Sequence, residues 1–426
     1  MSRTMLELND ERRRSLTQLV SAWVARRPGA GETGDHRWVE VREVEVLRPG
    51  RPGLLDVIAE VDGRLAHMVL GVRRPGQEAH FLRAVDEPVL GLFEDEVGLG
   101  VVLDALHDAE LAPELLAAVT GEGSAATGVA PVADGDDGTV LAFTDRCLFT
   151  VFPWLTDGSN PGVELLVALD EAGFNHLAAP LARWRRGGRD LGLVQELLAG
   201  SAGGWALALT SLRDLYASGG APEEAGGDFG PEARSLGTMT ARMHLALDRA
   251  FGRRNAEVAA LVAGIQATVA GADPRRLDDR EVHEALASLR VGGLRCPTIV
   301  THGDFHLGRA ARTDPGWVVA DTMPGGVPPG ASERVFRSPL ADVADLLWSL
   351  HHVATVAASE RDPTGRSGLA ALARAWESRN RRAFLSGYLG TPGIGGLVPG
   401  DREVVRNLAA AFELERGARR ADGRPG

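Results

Sequence analysis

Apolar residues recur along the first part of the chain with two different periods. Near the start they fall every three or four residues, which predicts a helix over 6–25. Three segments of alternating apolar and polar residues follow at 38–47, 54–61 and 65–72, separated by turns that contain glycine with proline or aspartate. This alternation predicts a small antiparallel sheet.

The middle of the chain mixes both kinds of pattern. Helical spacing returns over 103–119, and glycine and alanine then dominate 121–138, which predicts a flexible connector. A strand–turn–strand pattern over 139–152 predicts a hairpin, and the segment 163–172 predicts a helix. The apolar segment 193–198 predicts one further strand.

Helical spacing dominates the second half of the chain. Predicted helices cover 205–217, 232–251, 256–270, 279–289, 342–350, 370–389 and 401–416. In the segment 342–350, apolar residues form one stripe, and Asp342, Asp345 and Ser349 share another face. Residues 417–426 are predicted to be a disordered end.

The composition is that of an ordinary globular protein. The 426 residues are enough for two or three domains, and 24% are charged and 44% hydrophobic. A net charge of −12 argues against a nucleic-acid or anionic membrane partner. The two cysteines, Cys147 and Cys296, show no metal or disulfide spacing, and no apolar run suits a membrane span or a secretion leader. We therefore expect a cytoplasmic protein.

One compositional feature bears directly on chemistry. The chain contains no lysine, so all 46 basic side chains are arginines. Kinases use a lysine to hold the phosphates of ATP, and no residue here can take that part unchanged.

Candidate catalytic residues concentrate in the segment 300–309, whose sequence is VTHGDFHLGR. A turn at 313–316 and a short apolar strand follow, and that strand leads to Asp321. A strand, a polar loop and a hairpin in this order deliver Asp304 and Asp321 to the same edge of the protein. Phosphoryl transfer from ATP uses such a pair, because one carboxylate orients and deprotonates the acceptor hydroxyl and the other holds magnesium.

The string His302-Gly303-Asp304-Phe305-His306 resembles the signature of aminoglycoside phosphotransferase-like kinases. Further segments resemble the maltokinase branch of that family. They are 46–53, 160–174, 199–205, 236–244, 312–319 and 338–344. The resemblance implies an α+β, bilobal, kinase-like fold with an N-terminal β-rich cap. Its expected parts are a cap at 1–102, a small lobe at 103–198 and a mostly helical large lobe at 199–426.

The resemblance also implies roles for the residues of the motif. Asp304 takes the place of the acceptor-hydroxyl base, with His302 supporting the loop and His306 close to the phosphate or the sugar. Asp321 takes the place of the magnesium carboxylate, and Asp342 is expected to anchor the loop. The implied cofactors are ATP and Mg²⁺.

Five further positions fall in the family's nucleotide site. Gln195, Glu196 and Leu198 fall at the hinge, where backbone groups would pair with the adenine edge. Glu164 takes the place of the helix glutamate that pairs with the ATP lysine. Arg309 takes the place of a glutamine that binds magnesium.

The chain departs from the family's pattern at two positions, Thr150 and Arg309. Thr150 stands where the lysine is expected, so Glu164 is predicted to be a solvated surface acid. Arg309 has no lone pair for a metal, although its guanidinium can hold a phosphate. The family's acidic and aromatic segment after Asp321 is replaced by 322–326, whose sequence is TMPGG.

Two functional hypotheses follow. The first is a maltokinase-like sugar kinase that phosphorylates the anomeric hydroxyl of maltose or a related sugar with ATP. The second is a pseudokinase that uses the same fold as partner or regulator of a glycogen- or trehalose-metabolising enzyme, such as a trehalose synthase-like protein. The residue pair Asp304 and Asp321 favours the first hypothesis, and Thr150 and Arg309 favour the second.

Overall fold

The computed structural model separates the chain into two compact units. The first consists mainly of Met1–Val163 and Ala179–Leu197, and the second of Glu164–Ala178, Leu198–Val327 and Glu333–Gly426. The residues described are 4–27, 38–77, 81–82, 89–121, 128–135, 138–144, 146–272, 284, 286–290, 293–321, 335–361 and 368–421. The expected division into three parts stays a prediction.

An antiparallel sheet forms the start of the first unit. Its strands, in the order β1-β2-β3-β4-β6-β5 with β10 beside β4, are β1 (Thr4–Met5), β2 (Val39–Arg48), β3 (Gly53–Val61), β4 (Arg64–Arg73), β5 (Val89–Asp95), β6 (Gly98–Asp104) and β10 (Trp154–Leu155). Helix α1 (Asp10–Ala25) begins after Asn9, whose side chain accepts the Arg12 N–H, and its apolar residues belong to the same buried core as the sheet. The predicted helix and the three predicted strands are therefore present.

A second antiparallel sheet completes the strands of the first unit. Its order is β11-β12-β9-β8-β7, with β7 (Val129–Gly135), β8 (Gly138–Phe143), β9 (Cys147–Val151), β11 (Pro180–Arg186) and β12 (Arg189–Glu196). The predicted hairpin is β8–β9. Two predictions were wrong here. Residues 129–135 form a paired strand and not a connector. The helix predicted at 103–119 is α2 (Leu111–Thr120), because strand β6 extends to Asp104.

Helices dominate the second unit. They are α4 (Gly204–Ser218), α5 (Gly230–Phe251), α6 (Val258–Ala272), α7 (Leu340–Arg361), α8 (Leu369–Leu389) and α9 (Arg402–Ala421), while α3 (Pro161–Glu171) lies at the boundary. Two small antiparallel sheets accompany them, in the orders β13-β16-β17 and β14-β15-β18. Their strands are β13 (Ala202–Gly203), β14 (Arg253–Glu257), β15 (Arg295–Val300), β16 (Ala310–Thr313), β17 (Gly316–Val319) and β18 (Phe336–Arg337).

Two glycines allow helices α5 and α8 to cross at close range. A Cβ atom at Gly237 of α5 would clash with the backbone oxygen of Phe384, and one at Gly387 of α8 would clash with that of Arg234. The backbones of α5 and α8 therefore touch directly, because neither glycine carries a side chain. This crossing fixes the relative position of the two helices, both of which contribute residues to the site below.

Helix α7 carries the predicted apolar stripe, and helix α9 is longer than predicted. Asp342, Asp345 and Ser349 of α7 are also buried, so the face that they share is covered by the protein. Helix α9 continues to Ala421, which means that part of the predicted disordered end is helical. Among the helices of the described ranges, none is both long enough and apolar enough to cross a membrane.

Candidate active site

The candidate active site begins where β15 ends. The chain passes through a loop in which Gly303 has φ +87°, a conformation that favours glycine, and Asp304 follows it with its side chain buried. His306 then caps a single helical turn, Leu307–Arg309, because its Nδ1 accepts the Gly308 N–H at 3.1 Å. Strands β16 and β17 return the chain to Asp321 in a tight hairpin.

A buried carboxylate on α7, that of Asp342, is hydrogen-bonded to the backbone of this loop. Asp342 accepts the backbone N–H of His302 at 2.8 Å and that of Gly303 at 2.9 Å, which confirms its predicted anchoring contact. His244 on α5 lies 3.1 Å from the same carboxylate through Nε2, and its Nδ1 lies 2.9 Å from the Tyr388 hydroxyl on α8. Burial alone would raise the pKa of Asp342, but its hydrogen-bonding partners and their charges lower it, so the carboxylate is ionised.

His302 connects the loop to the strand end that carries the second carboxylate. Its Nε2 donates to the backbone oxygen of Asp321 at 2.8 Å. Burial lowers the pKa of His302, which keeps the ring neutral and is consistent with a proton on Nε2. This hydrogen bond is the contact by which His302 can support the loop, as predicted, and it fixes the backbone at Asp321.

The two candidate catalytic carboxylates meet at one guanidinium group. Arg309 donates from Nε to Asp304 Oδ2 at 3.1 Å, its Nη2 lies 3.0 Å from the same oxygen, and its Nη1 contacts Asp321 Oδ2. The Asp304 side chain is 3% exposed, whereas that of Asp321 is 45% exposed. The structure therefore brings the pair together, as the sequence predicted, but with an arginine between them.

A second arginine reaches Asp304 from the C-terminal helix, and the sequence prediction missed it. Arg416 is 1% exposed and lies 2.6 Å from Asp304 Oδ1 through Nη2 and 3.7 Å from Asp345 Oδ1 through Nε. One sequence signal was available, because Arg416 follows the buried Leu408 and Phe412 at four-residue spacing and so shares their helix face.

Positive charges determine the protonation state of the candidate base. Burial alone would raise the pKa of Asp304, but the adjacent His306 ring and the charges of Arg416 and Arg309 together lower it to about 2. His306 Nε2 lies 3.6 Å from Asp304 Oδ2. Asp304 is therefore ionised at neutral pH, able to accept a hydrogen bond from a hydroxyl, but weakly basic.

Asp345 behaves in the opposite way. Burial raises its pKa to about 8, and the nearby charges of Asp342 and Asp304 act in the same direction, against the opposing effect of Arg416 and Arg337. This carboxyl is consequently protonated at neutral pH, so the buried cluster around Arg416 holds one acid that is ionised, Asp304, and one that is neutral.

We expect Asp345→Asn to flatten the pH dependence of stability. The folded-state pKa of Asp345 lies above its unfolded value of about 3.9, so its contribution to stability is full below that value and is lost as the pH rises toward 8. The free energy of unfolding of the wild type should fall across this window by up to roughly 1.4 kcal/mol per pH unit. Urea unfolding of both proteins over the window measures this, and an equal fall in both would contradict it.

The positions of the missing lysine and of its glutamate partner lie on different elements. Thr150 is buried in β9, where its backbone pairs with Val140 of β8 and Leu193 of β12. Glu164 lies on α3 and is half-buried. Glu164 is partly exposed at this position of α3, so its assignment as a solvated acid stays a prediction.

The predicted hinge residues lie at the end of β12 and just beyond it. The Glu196 N–H donates to the backbone oxygen of Ala179 at 2.9 Å, and Gln195 pairs with β9. The backbone oxygen of Leu198 accepts the Ser201 N–H at 3.3 Å. Their assignment to the adenine side of a nucleotide site stays a prediction.

The residues present do not fit a magnesium ion in this arrangement. Asp321, the predicted ligand, is paired with Arg309, and a guanidinium repels a cation and offers it no lone pair. No group of three or more histidine, cysteine or acidic side chains within the described ranges is arranged to hold a metal. The segment 322–326, predicted to form an altered sugar-side loop, lies outside the described residues.

Comparison with known proteins places these observations in context. No protein-family model matches the chain. In sequence it is similar to the glucosamine kinase of Streptacidiphilus jiangxiensis, with 31% identity over 291 residues. That alignment covers 62% of this chain and 63% of the relative, so the match spans less than two thirds of the relative's length.

Solved structures of glucosamine kinases share the fold. A glucosamine kinase in crystal form B has a TM-score of 0.68 at 22% identity, over 96% of this chain and 95% of that chain. A glucosamine kinase in complex with glucosamine, ADP and inorganic phosphate has a TM-score of 0.63 at 21% identity, over 94% of both chains. The prediction of an α+β, kinase-like fold with an N-terminal β-rich region is confirmed.

Proposed function

We propose that this chain is an ATP-dependent sugar phosphotransferase whose reaction takes place at Asp304. The observation that carries the proposal is the meeting of Asp304 and Asp321 at one guanidinium, at the end of a loop anchored by Asp342. The similarity to glucosamine kinases in sequence and fold supports the same reaction class. A hexose hydroxyl is the proposed acceptor, and ATP the proposed donor.

Asp304 and Arg309 each have a part in this reaction. Ionised Asp304 accepts a hydrogen bond from the acceptor hydroxyl and aligns its oxygen for attack on the γ-phosphorus of ATP. As the new P–O bond forms, the bond from that phosphorus to the bridging oxygen of ADP breaks, and the hydroxyl proton passes to Asp304 and on to solvent. Arg309 supplies a positive charge for the transferring group once it has released Asp321.

The identity of the sugar is proposed from the relatives. The chain is similar to glucosamine kinases, so glucosamine and other hexoses are the first acceptors to test. Maltose and its anomeric hydroxyl, predicted from the resemblance of single segments, are kept as the second choice.

A specific observation favours a second function, that of a pseudokinase. Arg309 pairs with both carboxylates, and Thr150 stands in place of the phosphate-binding lysine. A protein with these two changes can keep the fold and a sugar or protein partner while transferring no phosphate. The partner predicted for this case is a glycogen- or trehalose-metabolising enzyme of the trehalose synthase type.

Thermal melting with ATP and sugars tests both functions. A ligand that binds only the folded protein raises the midpoint, with about 2.7 kcal/mol of added stability at roughly a hundred times Kd. We expect ATP, with and without Mg²⁺, and at least one hexose each to raise the midpoint. No shift with millimolar ATP would contradict the phosphotransferase, and a shift with a sugar alone would support the pseudokinase.

A further inference from the structure

Two positively charged side chains, Arg242 and Arg249, lie together at a site apart from the loop that carries Asp304. A cavity of about 270 Å³ is present in the second unit, lined by one short segment after α3 and one face of α5. Its lining residues are Gly173, Phe174, Asn175, His176, Arg242, Leu245 and Arg249. Two arginines seven residues apart lie on the same face of a helix, two turns from each other, so both can face one cavity.

Both arginine side chains are oriented by hydrogen bonds to a ring nitrogen or a backbone oxygen. Arg242 Nη1 lies 3.3 Å from His176 Nε2, and Arg249 Nη2 donates to the backbone oxygen of Ala172 at 3.1 Å. Within the described part of the chain neither forms an ion pair with a carboxylate. The acid between them on α5, Asp248, is itself paired with Arg253.

The histidine in the cavity wall is held in one tautomer. His176 Nδ1 lies 3.1 Å from the backbone oxygen of Trp317 and donates to it, which leaves Nε2 to accept from Arg242. Burial lowers the pKa of His176, and the charge of Arg242 acts in the same direction. The ring is therefore neutral and serves as a fixed acceptor that aims the Arg242 guanidinium.

These features define the chemistry of a ligand. We propose that the cavity binds a phosphate group, either free or carried by a small phosphate monoester. Two guanidinium groups match the charge of a phosphate dianion and offer it paired N–H donors. The volume exceeds the roughly 30 Å³ share of a water molecule several-fold, so it admits a body larger than the anion alone, and Leu245 supplies an apolar wall.

The wall of this cavity is bonded to the strand that leads to Asp321. The Val319 N–H donates to the backbone oxygen of His176 at 2.8 Å, and Leu177 forms a parallel bridge with Val319. Asp321 follows Val319 by two positions in the chain. Binding in the cavity should therefore restrict the motion of β17. Through this strand, the proposed site affects the position of Asp321.

Phosphorus NMR titration of the full chain with inorganic phosphate and with glucose 6-phosphate tests the proposal. We expect both to bind the wild type, and the double variant Arg242→Gln with Arg249→Gln to weaken both by about tenfold or more. Arg234→Gln is the matched control, because Arg234 is an exposed arginine of the same helix outside the cavity. It should bind like the wild type.

The two ligands distinguish the source of the phosphate. Tighter binding of the sugar phosphate would support a monoester ligand, and equal binding would support free phosphate. Unchanged affinity in the double variant, or no binding to the wild type, would overturn the site. Loss of binding in Arg309→Gln, with retention in the double variant, would place the phosphate at the catalytic loop and overturn it as well.

Hydrogen exchange tests the connection to β17. Phosphate should slow exchange of the Val319 amide in the wild type and leave it unchanged in the double variant, because that amide is bonded to the cavity wall. Equal exchange with and without bound phosphate in the wild type would overturn the connection.

Discussion

Replacing Asp342 with alanine is expected to abolish sugar phosphorylation and to lower the free energy of unfolding by about 3–5 kcal/mol. The change leaves two backbone N–H groups, of His302 and Gly303, and the His244 ring without their buried acceptor. The loop that presents Asp304 then loses both hydrogen bonds that it makes to this carboxylate. Urea unfolding and a phosphorylation assay on the same preparations measure both effects.

Two further variants distinguish an effect on the loop from an effect on folding. Asp342→Asn keeps the shape and one acceptor oxygen, so we expect a folded protein with a reduced kcat and a nearly unchanged KM for ATP. Asp345→Asn changes another buried acid of the same helix that makes no hydrogen bond to the loop in the described residues, and it should keep its activity. Full activity in Asp342→Ala would show that the loop does not depend on this anchor.

Replacing Arg309 with glutamine is expected to tighten Mg²⁺ binding by at least about tenfold. The change removes the positive charge that lies between Asp304 and Asp321 and adds an amide oxygen that can ligate a cation. Asp304 keeps a buried cation beside it, because Arg416 remains. Calorimetric titration of nucleotide-free protein with MgCl₂ measures the affinity directly.

Arg312→Gln is the matched control for this change. Arg312 lies on the adjacent strand β16 and pairs with Glu232 instead of the two carboxylates. It should bind Mg²⁺ as weakly as the wild type does. Equal Mg²⁺ affinity in the wild type and in Arg309→Gln would mean that the guanidinium does not compete with the ion.

The sequence predicted those parts of the site that are local in the chain. The loop, its turn and the returning strand lie within a few residues of one another, so the order of strand and turn signals was sufficient to bring Asp304 and Asp321 together. The anchoring contact of Asp342 was also predicted, because it belongs to a recognisable motif on a helix with clear spacing.

Contacts between distant segments were beyond sequence reasoning. Tyr388 is 144 residues from His244, and their meeting depends on two glycines that let α5 and α8 touch. Arg416 was predicted only as the last residue of a helix, although it is among the most buried side chains. In each case a polar residue is buried because of what packs against it, and a single helix pattern does not contain that information.

Errors in secondary structure have a similar origin. The segment 129–135 is rich in small residues and looks like a connector, but pairing with β8 makes it a strand. The first two residues of the helix predicted at 103–119 belong to strand β6 of the first sheet, and the helix itself starts at Leu111.

Detection of a sugar phosphate tests the central claim most directly. Purified protein is incubated with ATP, Mg²⁺ and glucosamine, and in parallel with other hexoses and maltose, and the products are identified by mass spectrometry. The account predicts a sugar phosphate from the wild type and a loss of rate by a factor of about 10² to 10⁴ in Asp304→Asn. No sugar phosphate from the wild type, or equal amounts from Asp304→Asn, would contradict it.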